Sequence, residues 1–272
     1  MEHRGATSAD NISGDGAGIM TSIPWKLFDS IVDPSKYKNK DGSVAVSVGQ
    51  MFLPQSVEAC KDAMVGVENA MKSLDLHVLG WRDVPVDPSV LGSLSRDFAP
   101  TIKQAVIVPA DGKVFDSEKI LDDVLYEVRR KIQGFFRMNI WNEAYVCSLS
   151  SRTIIYKGML RSCDLSLFYK DLKDPSYESN FAVYHRRFST NTVPKWFLAQ
   201  PMRLLAHNGE INTLLGNINW VKSKQYAKRN EVGSKGVFIE SEDCIMMKNK
   251  VLDIIIYINI YFSMFFVLNV SF

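Results

Sequence analysis

The 272-residue sequence has few cysteines, and they show no pattern that would bind a metal or build a disulfide framework. The four are Cys60, Cys147, Cys163 and Cys244. Their wide separation provides neither a CxxC pair nor metal-ligand spacing, so we expect no metal site. A strong charge of one sign is also absent, because the formal net charge is only +2. Without a basic patch, nucleic-acid binding is not predicted.

The sequence does not favour a phosphate-binding loop or a membrane span. The glycine-rich stretch 14–18 lacks the Gly-Lys-Ser/Thr ending of a P-loop, so a structural turn is the better interpretation. The segment 251–272 is apolar and long enough to span a membrane. However, Asp253 and Asn259 lie inside it, and no Lys or Arg follows it as an anchor. A membrane role is therefore not our expectation, although an anchor remains the alternative.

Hydrophobic periodicity predicts an α+β protein. Strands are predicted at 43–53, 76–79, 104–108, 181–184 and 202–206, with a hairpin formed by 145–149 and 153–156. Helices are predicted at 55–74, 117–132 and 210–226, with a short helix or polar connector at 164–177. Because strands and helices are interspersed without a regular βαβ repeat, α+β fits better than a doubly wound sheet.

Two polar clusters between residues 184 and 220 carry the chemistry that this sequence predicts. Arg187, Thr190 and Asn191 follow one apolar run, and Asn208 and Gly209 follow another. An arginine can hold a carboxylate through two parallel N–H bonds. A side-chain amide beside a glycine N–H is a common way to build an oxyanion hole.

A purely structural explanation of the same residues remains open. Arg187 could close an internal salt bridge, and Asn208 could cap the helix predicted to begin near Glu210. Asparagine is a good N-cap, so this alternative has a physical basis.

The two clusters, taken together with their spacing, resemble the corresponding stretch of the class II, N-terminal-nucleophile glutamine amidotransferase domain of glutamate synthases. The matching runs are His185, Arg187–Thr192, Leu198–Pro201, Ala206–Thr213 and Gly216-Asn217. Residues 1–6, 14–18 and 145–160 match in the same order. The resemblance implies a four-layer αββα sandwich of the N-terminal-nucleophile hydrolase type. It implies an amidotransferase domain at 1–240, incomplete at both ends, and a hydrophobic tail of other origin at 241–272.

The resemblance also implies site roles. Arg187, Thr190, Asn191 and Arg4 would bind L-glutamine, with Asp243 as a candidate for its α-amino group, and Asn208 and Gly209 would form the oxyanion hole. The family's nucleophile is an N-terminal cysteine in a Cys-Gly-Val-Gly opening upstream of the His3-Arg4-Gly5 block. We expect this chain to lack it. Cys60 is not expected to replace it, because it lies within a predicted helix without a free amine beside it.

The resemblance implies no cofactor in this chain, with FMN and an iron–sulfur cluster in other domains of the full-length enzyme. Its expected partners are L-glutamine and those remaining synthase domains. A soluble cytoplasmic or plastid location is favoured, and the sequence leaves the electron donor open. The alternatives are a non-catalytic truncated fragment or pseudo-enzyme, and another class II amidotransferase that makes a nucleotide precursor, an amino sugar or asparagine.

Overall fold

A computed structural model describes residues 12–187, 194–202, 219, 220 and 223 of the chain. Residues 12–187 and 194–202 belong to one compact unit, and residues 219, 220 and 223 belong to a second. The described strands are β1 (Ala17–Ser22), β2 (Ser47–Leu53), β3 (Leu76–Asp83), β4 (Thr101–Pro109), β5 (Tyr145–Ser150), β6 (Thr153–Gly158) and β7 (Ala182–His185). The α-helices are α1 (Val57–Lys72), α2 (Ser93–Asp97), α3 (Glu118–Met138) and α4 (Leu165–Phe168). Short 3-10 helices span Trp25–Phe28, Pro34–Lys36, Pro88–Val90, Lys170–Lys173 and Trp196–Leu198.

The two long helices begin at serine N-caps and bury one apolar face each. The Ser56 hydroxyl accepts a hydrogen bond from the Ala59 N–H at 3.1 Å, and Ser117 accepts one from Ile120 at 3.4 Å. The buried apolar side chains recur at helical spacing: Cys60, Ala63, Val67 and Met71 in α1, and Leu121, Leu125, Val128, Ile132 and Phe136 in α3. Both predicted helices are confirmed, although α3 continues to Met138.

Helices α1 and α3 pack against a four-stranded antiparallel sheet with the strand order β3-β4-β2-β5. Alternation along β4 directs Ala105 and Ile107 into the core with the helices, and Val106 and Val108 into a second core. Burial on both faces explains why β2 is buried along its whole length. The predicted strands β2, β3 and β4 are confirmed, and β3 and β4 extend beyond their predicted ends.

A second antiparallel sheet has the strand order β6-β1-β7 among the described residues. Its strand β1 was not predicted, because its sequence follows directly from the glycine-rich stretch and lacks a clear alternation. The predicted hairpin between β5 and β6 is wrong: β5 pairs with β2 in the first sheet, and β6 pairs with β1 in the second. The Ser150 hydroxyl accepts hydrogen bonds from the N–H groups of Arg152 and Thr153, so the tight turn carries the chain between the sheets.

A buried polar network joins the two sheets. Asp171 accepts hydrogen bonds from both terminal nitrogens of Arg82, at 2.7 and 2.6 Å, and from the Tyr156 hydroxyl at 2.8 Å. Gln104 donates to Tyr156 at 2.9 Å and to Gln50 at 2.8 Å. Burial is the main reason that the pKa of Tyr156 lies well above its usual value. Gln104 lies on the first sheet, Tyr156 lies on the second, and Asp171 lies in the 3-10 helix Lys170–Lys173, so the network ties the two sheets together.

The described layers are therefore helices, sheet and sheet, which confirms the predicted α+β class. The predicted helix at 210–226 lies almost entirely outside the described residues, and so does the predicted tail at 241–272. Within the part of the chain that the structure describes, no helix is both long and apolar enough to cross a membrane. The expectation for 251–272 stays a prediction.

Two helical glycines should respond to alanine with opposite signs. A Cβ at Gly66 in α1 would lie 1.9 Å from Cε1 of Phe135, whereas a Cβ at Gly134 in α3 meets nothing within 4 Å. Gly134→Ala should raise the free energy of unfolding by about 0.5–1 kcal/mol through helix propensity. Gly66→Ala should lower it by about 1 kcal/mol, since overpacking outweighs that gain. Urea unfolding measures both, and stabilisation by Gly66→Ala would contradict the packing seen between α1 and α3.

Candidate active site

The candidate site begins where β1 and β7 lie side by side. Their antiparallel register pairs Gly18 with His185, so the loop before β1 meets the chain that leaves β7. Asp15 in this loop accepts a hydrogen bond from Nε of Arg187 at 3.0 Å. The side chain of Asp15 is 12% exposed and that of Arg187 is 37% exposed. A largely buried carboxylate thus holds a half-exposed guanidinium at the edge of the sheet.

Glycines shape the loop that presents Asp15. Gly16 has a φ of 138°, a conformation that side chains rarely tolerate. A Cβ at Gly18 would lie 2.4 Å from the carbonyl oxygen of Gln200, so β1 approaches the segment 194–202 closely. The glycine-rich stretch thus bends at Asp15 and continues into β1 at Ala17, and it sets the position of one acidic side chain.

Arg187 is the one predicted site residue that the described part of the chain includes. Thr190, Asn191, Asn208, Gly209, Arg4 and Asp243 all lie outside the described residues. The salt bridge that the sequence left open for Arg187 is present, with Asp15 as the partner. Among the described residues, however, neither Nη1 nor Nη2 of Arg187 has a hydrogen-bond partner. The ion pair therefore leaves the outer end of the guanidinium available for a ligand.

Sequence reasoning missed Asp15. A signal was present, since Asp15 is a single charged residue between two glycines just before an apolar run. Such a residue can be read as an ordinary polar turn position. Its importance depends on a partner 172 positions away in the sequence, which local patterns do not reveal.

The chain between the two polar clusters is held by a buried lysine. Lys157 in β6 is fully buried and donates a hydrogen bond to the carbonyl oxygen of Phe197 at 2.9 Å. Its ammonium also lies 3.4 Å from the sulfur of Met202 and 4.7 Å from the ring centroid of Tyr145. These contacts fix the segment that precedes Asn208 in the sequence.

Two of the three described thiols are buried and are poor candidates for a nucleophile. Cys60 is buried on α1, and desolvation raises its pKa. Burial raises the pKa of Cys147 to about 12. Because the thiolate is the reactive form, these environments disfavour reaction at either thiol. Cys163 is exposed, and Cys244 lies outside the described residues.

Other kinds of site are not evident in the described ranges. No group of His, Cys, Asp or Glu side chains there could hold a metal ion. A cavity of about 220 Å³ is lined by residues such as Pro54, Phe98 and Trp141, and it includes neither Asp15 nor Arg187. The arrangement around Arg187 is thus the better candidate, because it combines a positioned charge with two terminal nitrogens that have no hydrogen-bond partner in the ranges 12–187 and 194–202.

Comparison with known proteins identifies the family. A family model of class II glutamine amidotransferases matches residues 1–246. The chain therefore belongs to the class II glutamine amidotransferases, and the predicted family is confirmed.

The similar proteins are long enzymes. The chain is 52% identical over 225 residues to ferredoxin-dependent glutamate synthase 2 of Synechocystis sp., with 83% of this chain and 14% of the relative covered. It is 46% identical over 234 residues to the chloroplastic ferredoxin-dependent glutamate synthase 2 of Arabidopsis thaliana, with 85% of this chain and 14% of the relative covered. For the ferredoxin-dependent glutamate synthase of Pyropia yezoensis, identity is 46% over 235 residues, with coverages of 85% and 15%. The chain thus spans about one seventh of the length of the curated relatives it matches.

Proposed function

We propose that this chain is the glutamine-hydrolysing region of a glutamate synthase, which supplies ammonia for reductive transfer to 2-oxoglutarate. The observation that carries the proposal is the Arg187 guanidinium, which is held through Nε with its terminal nitrogens free among the described residues. An edge of this kind matches the α-carboxylate of L-glutamine. The names of the relatives favour a glutamate synthase over other class II amidotransferases.

Each proposed site residue has a distinct role in the acyl transfer. Arg187, with Thr190, Asn191 and Arg4, binds glutamine, and Asp243 is the candidate for its amino group. A thiolate attacks the side-chain amide, ammonia leaves, and water hydrolyses the thioester. Asn208 and the Gly209 N–H donate to the oxyanion that forms in the first step.

The base in this scheme is the α-amino group of the family's N-terminal cysteine. A free α-amino group has a pKa of about 7.7–8.0, which suits proton transfer near neutral pH. We assign this role to the Cys-Gly-Val-Gly opening of the family, because burial raises the pKa of both the Cys60 and the Cys147 thiol.

The proposal extends to the longer protein. Residues 1–240 would form the amidotransferase domain, and residues 241–272 would lie outside it. FMN and an iron–sulfur cluster would belong to other synthase domains, with ferredoxin as the electron donor, as in the names of the relatives. Because one of these relatives is named chloroplastic, we propose a plastid or cytoplasmic location.

Replacing Arg187 by lysine tests the proposal. The measurement is ammonia release from glutamine by the chain extended at its N-terminus with the family's Cys-Gly-Val-Gly opening. Arg187→Lys should raise KM by roughly 10–100-fold with little change in kcat. The bidentate grip is lost from substrate and transition state alike, and a hydrogen bond to a charged group contributes about 1.5–3 kcal/mol.

The neighbouring Arg186 provides the control. Its Nε donates to the Ser162 hydroxyl at 3.1 Å, whereas Nε of Arg187 donates to Asp15. Arg186→Lys should leave KM unchanged. Equal effects of the two substitutions would contradict the role of Arg187, and an extended chain without any turnover would favour a non-catalytic protein.

A further inference from the structure

Asp15 differs from the other buried carboxylates that pair with arginine in the described residues. Asp171 receives both terminal nitrogens of Arg82, at 2.7 and 2.6 Å. Asp164 receives Nε and Nη2 of Arg161, at 2.6 and 3.1 Å. Both of these pairs are bidentate, with two guanidinium nitrogens bound to one carboxylate. The Asp15 pair uses a single hydrogen bond from Nε of Arg187.

That single bond determines which edge of Arg187 remains open. A guanidinium is planar and carries its five N–H groups in fixed directions. Binding at Nε restrains the rotation of the plane and leaves the two parallel N–H groups of Nη1 and Nη2 facing away from Asp15. Those two groups can bind a carboxylate, as Nη1 and Nη2 of Arg82 do with Asp171.

The loop that carries Asp15 is closely packed. Asp15 is largely buried, and the backbone on either side is constrained by close contacts and by the unusual φ of Gly16. A Cβ at Gly14 would lie 2.2 Å from the carbonyl carbon of Leu160, so the loop is pressed against the chain that follows β6. Close packing of this loop therefore disfavours movement of Asp15, so that its carboxylate can serve as a reference for the guanidinium.

We propose that Asp15 is a positioning residue that orients Arg187 so that its outer edge binds the α-carboxylate of glutamine. The inference rests on the proposed function, because it assigns glutamine to Arg187. Asp15 itself does not touch the substrate. The competing possibility is that the negative charge of Asp15 opposes a second carboxylate, in which case its removal would strengthen binding.

The test measures binding to the 272-residue chain by calorimetry, with L-glutamine and with its α-carboxamide as probes. The α-carboxamide keeps the side chain and lacks the α-carboxylate. Asp15→Ala should weaken glutamine binding by about tenfold, because the orienting charge-assisted hydrogen bond is lost. Binding of the α-carboxamide should stay unchanged. Asp15→Asn should be intermediate, since its amide oxygen can still accept the bond from Nε.

Asp164→Asn is the matched control. In the Arg161–Asp164 pair the carboxylate is 8% exposed and the guanidinium 37% exposed, nearly as in the Asp15 pair. This variant should lower Tm about as much as Asp15→Asn does. The ratio of the affinity for L-glutamine to the affinity for its α-carboxamide should stay at the wild-type value.

Failure of the inference can be distinguished from failure of the proposed function. Suppose that Arg187→Lys removes the preference for L-glutamine over its α-carboxamide. If Asp15→Ala then keeps this preference, or binds glutamine more tightly than the wild type does, the positioning role of Asp15 is wrong. If both Asp15 variants only lower Tm, the role is structural and the inference is again wrong. If the wild-type chain binds neither probe, or binds both equally, the assignment of glutamine to Arg187 fails together with the inference.

Discussion

Alanine at Asn208 should lower kcat for glutamine hydrolysis by roughly 10²–10³, the usual cost of removing one oxyanion donor. The side-chain N–H₂ is expected to meet negative charge that develops only in the transition state, so KM should change little. The measurement is steady-state ammonia release by the chain with the family's Cys-Gly-Val-Gly opening restored, at saturating glutamine. Asn208 lies outside the described residues, and its role is therefore proposed from the sequence.

Aspartate at the same position separates the oxyanion role from helix capping. Asn and Asp are equally good N-caps. Asn208→Asp would thus keep a cap, but it would remove the donor and add a negative charge beside the oxyanion. We expect kcat for Asn208→Asp to be as low as for the alanine variant or lower. Recovery of both kcat and Tm by aspartate would show that Asn208 is a cap.

Asp171→Asn should lower the free energy of unfolding by about 3–5 kcal/mol, because it leaves the Arg82 guanidinium, whose side chain is only 19% exposed, without its carboxylate partner. The Asp171 side chain is 2% exposed, and it accepts hydrogen bonds from Arg82 and Tyr156. Loss of the carboxylate also weakens the connection between the two sheets. Urea unfolding of the 272-residue chain provides the free energy, and the slope m checks that the native state remains compact.

Asp83 is the control for this prediction. It lies next to Arg82 on β3 and pairs with Lys103, but its side chain is 81% exposed. Asp83→Asn should cost about 0–1 kcal/mol, as is typical of surface ion pairs. The double variant Arg82→Met, Asp171→Leu should be more stable than Asp171→Asn, because both charges leave the interior together. A cost of Asp171→Asn as small as that of Asp83→Asn would contradict the importance of the network.

Local patterns in the sequence were sufficient to predict the two long helices. The helical repeat from Cys60 to Met71 predicted α1, and the repeat from Leu121 to Ile132 predicted most of α3. The spacing of the residues around Arg187 and Asn208 was sufficient to predict the amidotransferase family, which the family model confirms. These features depend on neighbours within one or two turns, or on runs that the family shares, and both can be read directly along the chain.

Pairing between strands depended on tertiary structure. The turn at Ser150 looked like a hairpin, yet β5 and β6 separate into different sheets. Both strands are almost wholly buried, so their partners are determined by which distant strands cover them, and not by the turn. Strand β1 was not predicted for a related reason. Its pairing with β6 and β7 defines it as a strand, and apolar and polar residues do not alternate clearly along its sequence.

The sequence by itself determined the family, the α+β class and the choice of Arg187 as a substrate-binding candidate. Only the tertiary structure showed that Asp15 holds Arg187 through Nε, because the antiparallel register of β1 and β7 brings together residues from opposite parts of the chain. The physical reason is that a hydrogen bond depends on distance in space, whereas periodicity and spacing report only distance along the chain.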